Sequence, residues 1–130
     1  MKIIDGRKIA EELLREIKRE AEKLSKPLKL ATILVGHHPG SKKFLELKGV
    51  AAKKVGMDFE MKEFPDDLPE GVLLSRVKSF IQSSGANGLL IELPLPRQYY
   101  MAAFLNAIPL EKDVDVLSEA AQKKFFSGDF

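Results

Sequence analysis

The sequence contains no cysteine, no tryptophan and only two histidines, His37 and His38. Without cysteine there is no disulfide, no thiolate nucleophile and no cysteine-based zinc or iron–sulfur site, a composition that fits a reducing compartment. The adjacent histidines do not make a metal site: neighbours in an extended loop point apart and no further ligand stands at a suitable spacing, so no metal is expected. No apolar run is long enough for a signal peptide or a membrane span. A cytoplasmic protein with no membrane contact is the expectation. An excess of either charge is also missing. Lys and Arg total 21 against 19 Asp and Glu, leaving +2, which gives no sign of nucleic-acid or polybasic membrane binding.

What is present describes one globular domain. The chain has 130 residues, 45% hydrophobic and 31% charged, enough to build a single core and too few for two ordinary domains. Charge is unevenly spread. Lys42, Lys43, Lys48, Lys53 and Lys54 crowd one stretch with a single acid, Glu46, whereas residues 58–70 are strongly acidic. A solvated helix face followed by an acidic loop accounts for this.

Hydrophobic spacing defines the elements. Ile9, Leu13, Ile17, Ala21 and Leu24 recur at steps of three and four, predicting an amphipathic helix from Arg7 to about Leu24. Asp5 is placed to cap its start, and Ser25-Lys26-Pro27 to stop it. The run Leu30–Val35 reads as a strand buried on both faces, hence in a parallel sheet. A second helix is predicted from about Ser41 to Val55, stopped by Gly56. Asp58–Phe64 alternates as an edge strand with one wet face. Val72, Leu73, Val77, Phe80 and Ile81 mark a third helix ending before Gly85, and Gly88–Glu92 a third strand. Helical stretches near Tyr99–Asn106 and Ser118–Phe126 complete the chain. Strands alternating with helices predict an α/β, three-layer domain with a small, mostly parallel sheet flanked by helices. Ligands of such sheets sit at the carboxyl ends of the strands, which directs attention to the loop after Val35 and to Glu92.

The loop Gly36-His37-His38-Pro39-Gly40-Ser41-Lys42 superficially resembles a phosphate-binding loop but has three residues, not four, between its glycines, and serine where lysine is needed. Ser41, Phe44 and Lys48 share one helical stripe. Spacing alone favours packing of Phe44 into the core, with Lys48 one more lysine on a basic helix, yet the stripe begins at the edge of the sheet where Glu92 ends a strand. A lysine facing a carboxylate beside an aromatic platform suits a planar, polar ligand. The prolines of Leu93-Pro94-Leu95-Pro96 either terminate a buried strand or hold a pocket wall beside Glu92. Asp113 and Asp115 read either as loop acids or, two apart and on one side of an extended segment, as a pair of which one enters the cleft while Val114 anchors the other face.

In this order the segments resemble the N-terminal catalytic domain of the methylenetetrahydrofolate dehydrogenase/cyclohydrolase family. The resemblance runs through Ile3-Ile4-Asp5-Gly6-Arg7-Lys8-Ile9-Ala10, Ser41-x-x-Phe44-x-x-x-Lys48 with Gly56, Glu92-Leu93-Pro94-Leu95-Pro96, and Pro109-x-Glu111-Lys112-Asp113-Val114-Asp115, covering nearly the whole chain. It implies a folate-binding domain spanning residues 1–130. Lys48 and Glu92 stand at catalytic positions, and Phe44, Lys48, Ile91, Glu92, Leu93 and Asp115 at substrate-binding ones. Phe44 stands where the family has a tyrosine stacking on the substrate, Lys48 matches the catalytic lysine, and Asp115 matches the aspartate that holds the pterin ring. The chemistry is coherent: an aromatic face covers a ring system, a carboxylate accepts hydrogen bonds from an aminopyrimidinone edge, and an amine near the one-carbon unit moves protons. The family oxidises 5,10-methylenetetrahydrofolate with NADP or NAD and hydrolyses the methenyl product to 10-formyltetrahydrofolate.

This sequence departs from the family pattern in four places. Phe44 lacks the phenolic hydroxyl. Glu92 replaces glutamine, and an ionised carboxylate there favours the ammonium form of Lys48 and opposes its work as a base; a protonated Glu92 would instead imitate the amide. Val116 replaces the glycine after the aspartate, which bears on the turn that places Asp115. No Gly-x-Gly-x-x-Gly fingerprint is present, so NADP or NAD is expected to come through a separate or downstream nicotinamide-binding domain and none to be bound by this chain alone. The competing reading is a non-catalytic folate-sensing or interaction module on the same scaffold. A receiver-like or nucleotide-binding domain is disfavoured, because the first strand does not end in an acidic cluster.

Overall fold

The computed structural model describes Met1 and residues 3–129. Three strands form one parallel sheet in the order β2-β1-β3: β1 is Lys29–Val35, β2 Asp58–Phe64 and β3 Gly88–Ile91. Thr32 at the centre of β1 lies opposite Met61 on one side and Leu90 on the other. The helices are α1 (Gly6–Ala21), α2 (Pro39–Lys54), α3 (Glu70–Ser83), α4 (Met101–Leu105) and α5 (Glu119–Ser127), with a 3-10 turn at Leu110–Lys112. Among the described residues no helix is long and apolar enough to cross a membrane.

Side-chain alternation along the strands creates the three layers. Ala31, Ile33 and Val35 of β1, with Leu89 and Ile91 of β3, join Leu73, Val77, Phe80 and Ile81 of α3 and Phe104 and Leu105 of α4 in the main core. The intervening Leu34 and Leu90 point to the other face and pack with Leu45 of α2, backed by Leu30 and Met61. Helix α2 can lie close to the sheet because Gly49 has no side chain: a Cβ there would stand 2.7 Å from the Phe59 ring.

Several predicted boundaries shift. Helix α1 ends at Ala21, about one turn early, and α2 begins at Pro39 because proline is well suited to a first helical turn. Helix α4 is shorter than predicted. The Asp5 side chain accepts from the backbone N–H groups of Arg7 and Lys8, as its capping role requires. Val72, predicted on the apolar stripe of α3, is exposed, whereas Leu73, Val77, Phe80 and Ile81 are buried. The stripe of α1 behaves differently from an ordinary core face: Ile9, Leu13, Ile17 and Leu24 are all exposed.

Candidate functional site

The same alternation that builds the layers aims Glu92. Leu90 faces α2 and Ile91 faces the main core, so Glu92, one residue past the end of β3, again turns toward α2. Its backbone N–H still donates to the Ile33 carbonyl at 2.8 Å, holding the residue in register with the sheet. From the other side, Leu45, Gly49 and Ala52 of α2 are buried against the sheet, leaving Ser41, Phe44 and Lys48 along the flank of that buried face.

The two elements bring Lys48 and Glu92 together. Lys48 Nζ lies 3.3 Å from Glu92 Oε2, the side chains retaining 26% and 11% of their exposure. Lys48 Nζ also stands 4.7 Å from the centroid of the Phe44 ring, within reach of a cation–π contact. Phe44 is 53% exposed. It is therefore not a core residue, which removes the packing explanation of the Ser41, Phe44 and Lys48 spacing. An exposed aromatic surface, an ammonium and a mostly buried carboxylate gather where the sheet presents its carboxyl end.

The surrounding loops are tied to one another. The Gly36 N–H donates to the Phe64 carbonyl at 2.9 Å, and Gly36 has φ +80°, where a Cβ would meet Asp66 Oδ2 at 2.8 Å. Gln98 Nε2 donates to the Asp66 carbonyl at 2.8 Å, and the Tyr99 hydroxyl lies 2.9 Å from the carbonyls of both Asp66 and Leu68. These bonds anchor the chain after Glu92 to the loop after β2. Lys42 of α2 pairs with Glu63 of β2 at 2.7 Å, and hydrogen bonding to that carboxylate raises the lysine pKa. The Leu93–Pro94 peptide is cis.

The other sequence candidates fall into different places. The Ile91 side chain is 1% exposed in the main core, so only its backbone is free to line a ligand. Leu93 is half-buried and packs against the same core. Asp113 is buried and accepts from the N–H groups of Leu117 and Ser118, at 3.4 and 2.9 Å, so it shapes the turn into α5. Asp115 is exposed and borders a shallow hollow of about 490 Å³ with Val116, Gln122, Phe125 and Phe126. His37 is exposed and His38 sits at the start of α2 without a side-chain cap. Among the described residues no group of three or more His, Asp or Glu side chains gathers. A larger hollow of about 640 Å³ runs along the charged side of α1, lined by Glu12, Arg15, Glu16, Lys18, Arg19 and Glu22. It has no aromatic wall to receive a ring. The anchoring role of Tyr99 and the buried turn-forming role of Asp113 are absent from the sequence reading, because both act through backbone groups distant in sequence or around a turn.

The fold and site together define an α/β catalytic-type domain with its polar constellation at the carboxyl edge of a parallel sheet. A family model, tetrahydrofolate dehydrogenase/cyclohydrolase, catalytic domain, matches residues 4–115. The chain belongs to this family. The bifunctional protein FolD of Hydrogenobaculum sp. (strain Y04AAS1) is 34% identical over 129 residues, covering 99% of this chain and 46% of that protein. The crystal structure of the bifunctional 5,10-methylenetetrahydrofolate dehydrogenase/cyclohydrolase of Thermoplasma acidophilum superposes with a TM-score of 0.88 at 27% identity, covering 98% of this chain and 46% of that one. The Trypanosoma brucei FolD structure, complexed with NADP cofactor and inhibitor, gives a TM-score of 0.86 at 26% identity over 95% of this chain and 43% of its own. The chain thus spans less than half the length of each of these relatives.

Proposed function

We propose that this domain binds tetrahydrofolate derivatives and forms the folate half of a methylenetetrahydrofolate dehydrogenase/methenyltetrahydrofolate cyclohydrolase. The observation that carries the reading is the Lys48 amine between the Phe44 ring and the Glu92 carboxylate, at the carboxyl end of the sheet. In this reading Phe44 offers its open face to the folate ring system and Asp115 accepts hydrogen bonds from the aminopyrimidinone edge. Lys48 and Glu92 stand beside the one-carbon unit. Ile91 contributes backbone, and Leu93 apolar support.

The nicotinamide cofactor does not fit the residues present. The strand-to-helix turn from Gly36 to Gly40 lacks the glycine spacing of a dinucleotide site, and Pro39 removes one of the N–H groups that would face a phosphate. No hydride-transfer step is assigned to this chain. In the proposed enzyme, NADP or NAD is held by a separate or downstream nicotinamide-binding domain, and the domain works in the cytoplasm.

Titration calorimetry with tetrahydrofolate tests the reading. The native chain should bind, and Phe44→Ala and Asp115→Ala should each weaken binding several-fold by removing the ring surface or the acceptor. Absence of binding by the native chain at millimolar tetrahydrofolate would refute the proposal.

A further inference from the structure

Helix α1 has an amphipathic stripe that the domain leaves uncovered. Ile9, Leu13, Ile17 and Leu24 are 42–53% exposed, and no described residue of α1 is buried. The helix meets α2 on another side, that of the half-buried Leu14, which stands with Lys54 of α2 around a shallow hollow. Ile3 and Ile4, just before the helix, are more exposed still. Contiguous apolar surface of this kind on a small domain marks a contact site. We infer that the exposed face of α1 is a self-association surface, on which α1 of a second copy of this chain lies antiparallel about a two-fold axis near Ile17. The inference does not depend on the folate reading.

The charges beside the stripe identify the occupant. Glu12, Glu16, Arg19 and Lys23 follow one another at steps of four, three and four, which sets them in one line along the helix, next to Leu13, Ile17 and Leu24. The line is acidic in its first half and basic in its second. Past Ala21 the coil continues for another turn, the Lys23 N–H donating to the Glu20 carbonyl at 3.2 Å and the Leu24 N–H to the Ala21 carbonyl at 3.1 Å. A two-fold axis sets one patch against its own copy. In the antiparallel arrangement this line therefore faces the same line reversed: Glu12 meets Lys23 of the second copy, Glu16 meets Arg19, and Ile17 packs on Ile17. Within one copy, Glu12, Glu16 and Arg19 form no ion pair among the described residues, and Lys23 is held by Glu20 in an exposed pair at 2.6 Å that costs little to exchange. A net charge of +2 per chain adds little repulsion between copies. The pairing belongs to the weak, reversible class, because one face of a 16-residue helix is smaller than the roughly 800 Å² per partner of a standard interface.

The test is sedimentation equilibrium from about 1 μM to about 1 mM chain, with circular dichroism and urea unfolding in parallel, for the native chain, Ile17→Glu, Arg19→Glu and the double variant Glu16→Arg/Arg19→Glu. The mass of the native chain should climb from 14.5 kDa toward twice that value and stop there, since a two-fold contact closes on itself. Ile17→Glu, which sets two carboxylates on the axis, should stay at the single-chain mass with helix content and unfolding midpoint unchanged, because Ile17 is exposed in the single chain. Arg19→Glu should weaken association about tenfold by turning two attractive pairs into repulsive ones, and the double variant, which exchanges the two charges, should restore it to within about threefold. A non-specific apolar contact would be indifferent to that exchange. Several results would each overturn the inference: a native chain that stays at 14.5 kDa throughout, a mass that rises past the dimer without a plateau, an Ile17→Glu chain that still pairs, or association insensitive to Arg19→Glu or not restored in the double variant. A single-chain mass at every concentration would assign the face to a different partner or to another part of a longer polypeptide.

Discussion

Val116 has φ +56°, the only positive value at a non-glycine among the described residues. A β-branched side chain in this region is strained by contact between Cβ and the backbone. The turn it forms follows Asp115, so the strain lies next to the carboxylate proposed to hold the pterin ring. Glycine relieves such strain where alanine does not. Val116→Gly should therefore be more stable than Val116→Ala by about 1 kcal/mol, measured by urea unfolding; equal stability, or an advantage for alanine, would show that the backbone is unstrained. The same scale shows what one sequence can and cannot reveal. That Lys48, Phe44 and Glu92 lie together was legible because helical spacing and strand ends are local properties. The burial of Asp113 and the exposure of Asp115 were not separable, since two residues of one type in one loop differ only through the turn that follows.

At the scale of elements, α2 is the part that delivers the site, and its seat depends on Gly49. Gly49→Ala would place a methyl group 2.7 Å from the Phe59 ring. Overpacking of this kind costs about 1–3 kcal/mol, partly offset by about 1 kcal/mol of helix propensity. A net loss of about 1 kcal/mol in chemical denaturation is expected, together with weaker folate binding as α2 moves; a neutral or stabilising substitution would contradict the packing described. Helix α1 behaves in the opposite way, since none of its described residues is buried. Asp5→Ala removes the cap that accepts from Arg7 and Lys8 N–H, costing about 1 kcal/mol of local helix stability. Amide exchange should accelerate in the first turn of α1 and remain unchanged in α2 and the strands. Uniform acceleration throughout the chain would mean that α1 folds as one unit with the core. The sequence marked α1 by periodicity and α2 by its flanking loop and Gly56, but could not show that only α2 has residues buried against the sheet, because coverage depends on what the fold brings near.

At the scale of the whole molecule, the sheet is the organising fact. The unbroken apolar run of β1 predicted its burial between two layers and its parallel setting, and the alternation of β2 predicted an edge. Pairing order was not contained in either pattern: β1 lies between β2 and β3, so the crossover from β2 to β3 passes over β1, a relation visible only in three dimensions. That order places the end of β3 beside α2 and so creates the Lys48–Glu92 pair from residues 44 positions apart. The chain spans less than half of its relatives' lengths, and the proposed folate binding rests on this constellation. The most direct measurement is the melting temperature of the chain with and without tetrahydrofolate. At about 100 times the dissociation constant, a ligand of the native state adds about 2.7 kcal/mol, an upward shift on the order of 10 °C for a domain of this size. That rise is the predicted result, and an unchanged melting temperature at saturating tetrahydrofolate would contradict it.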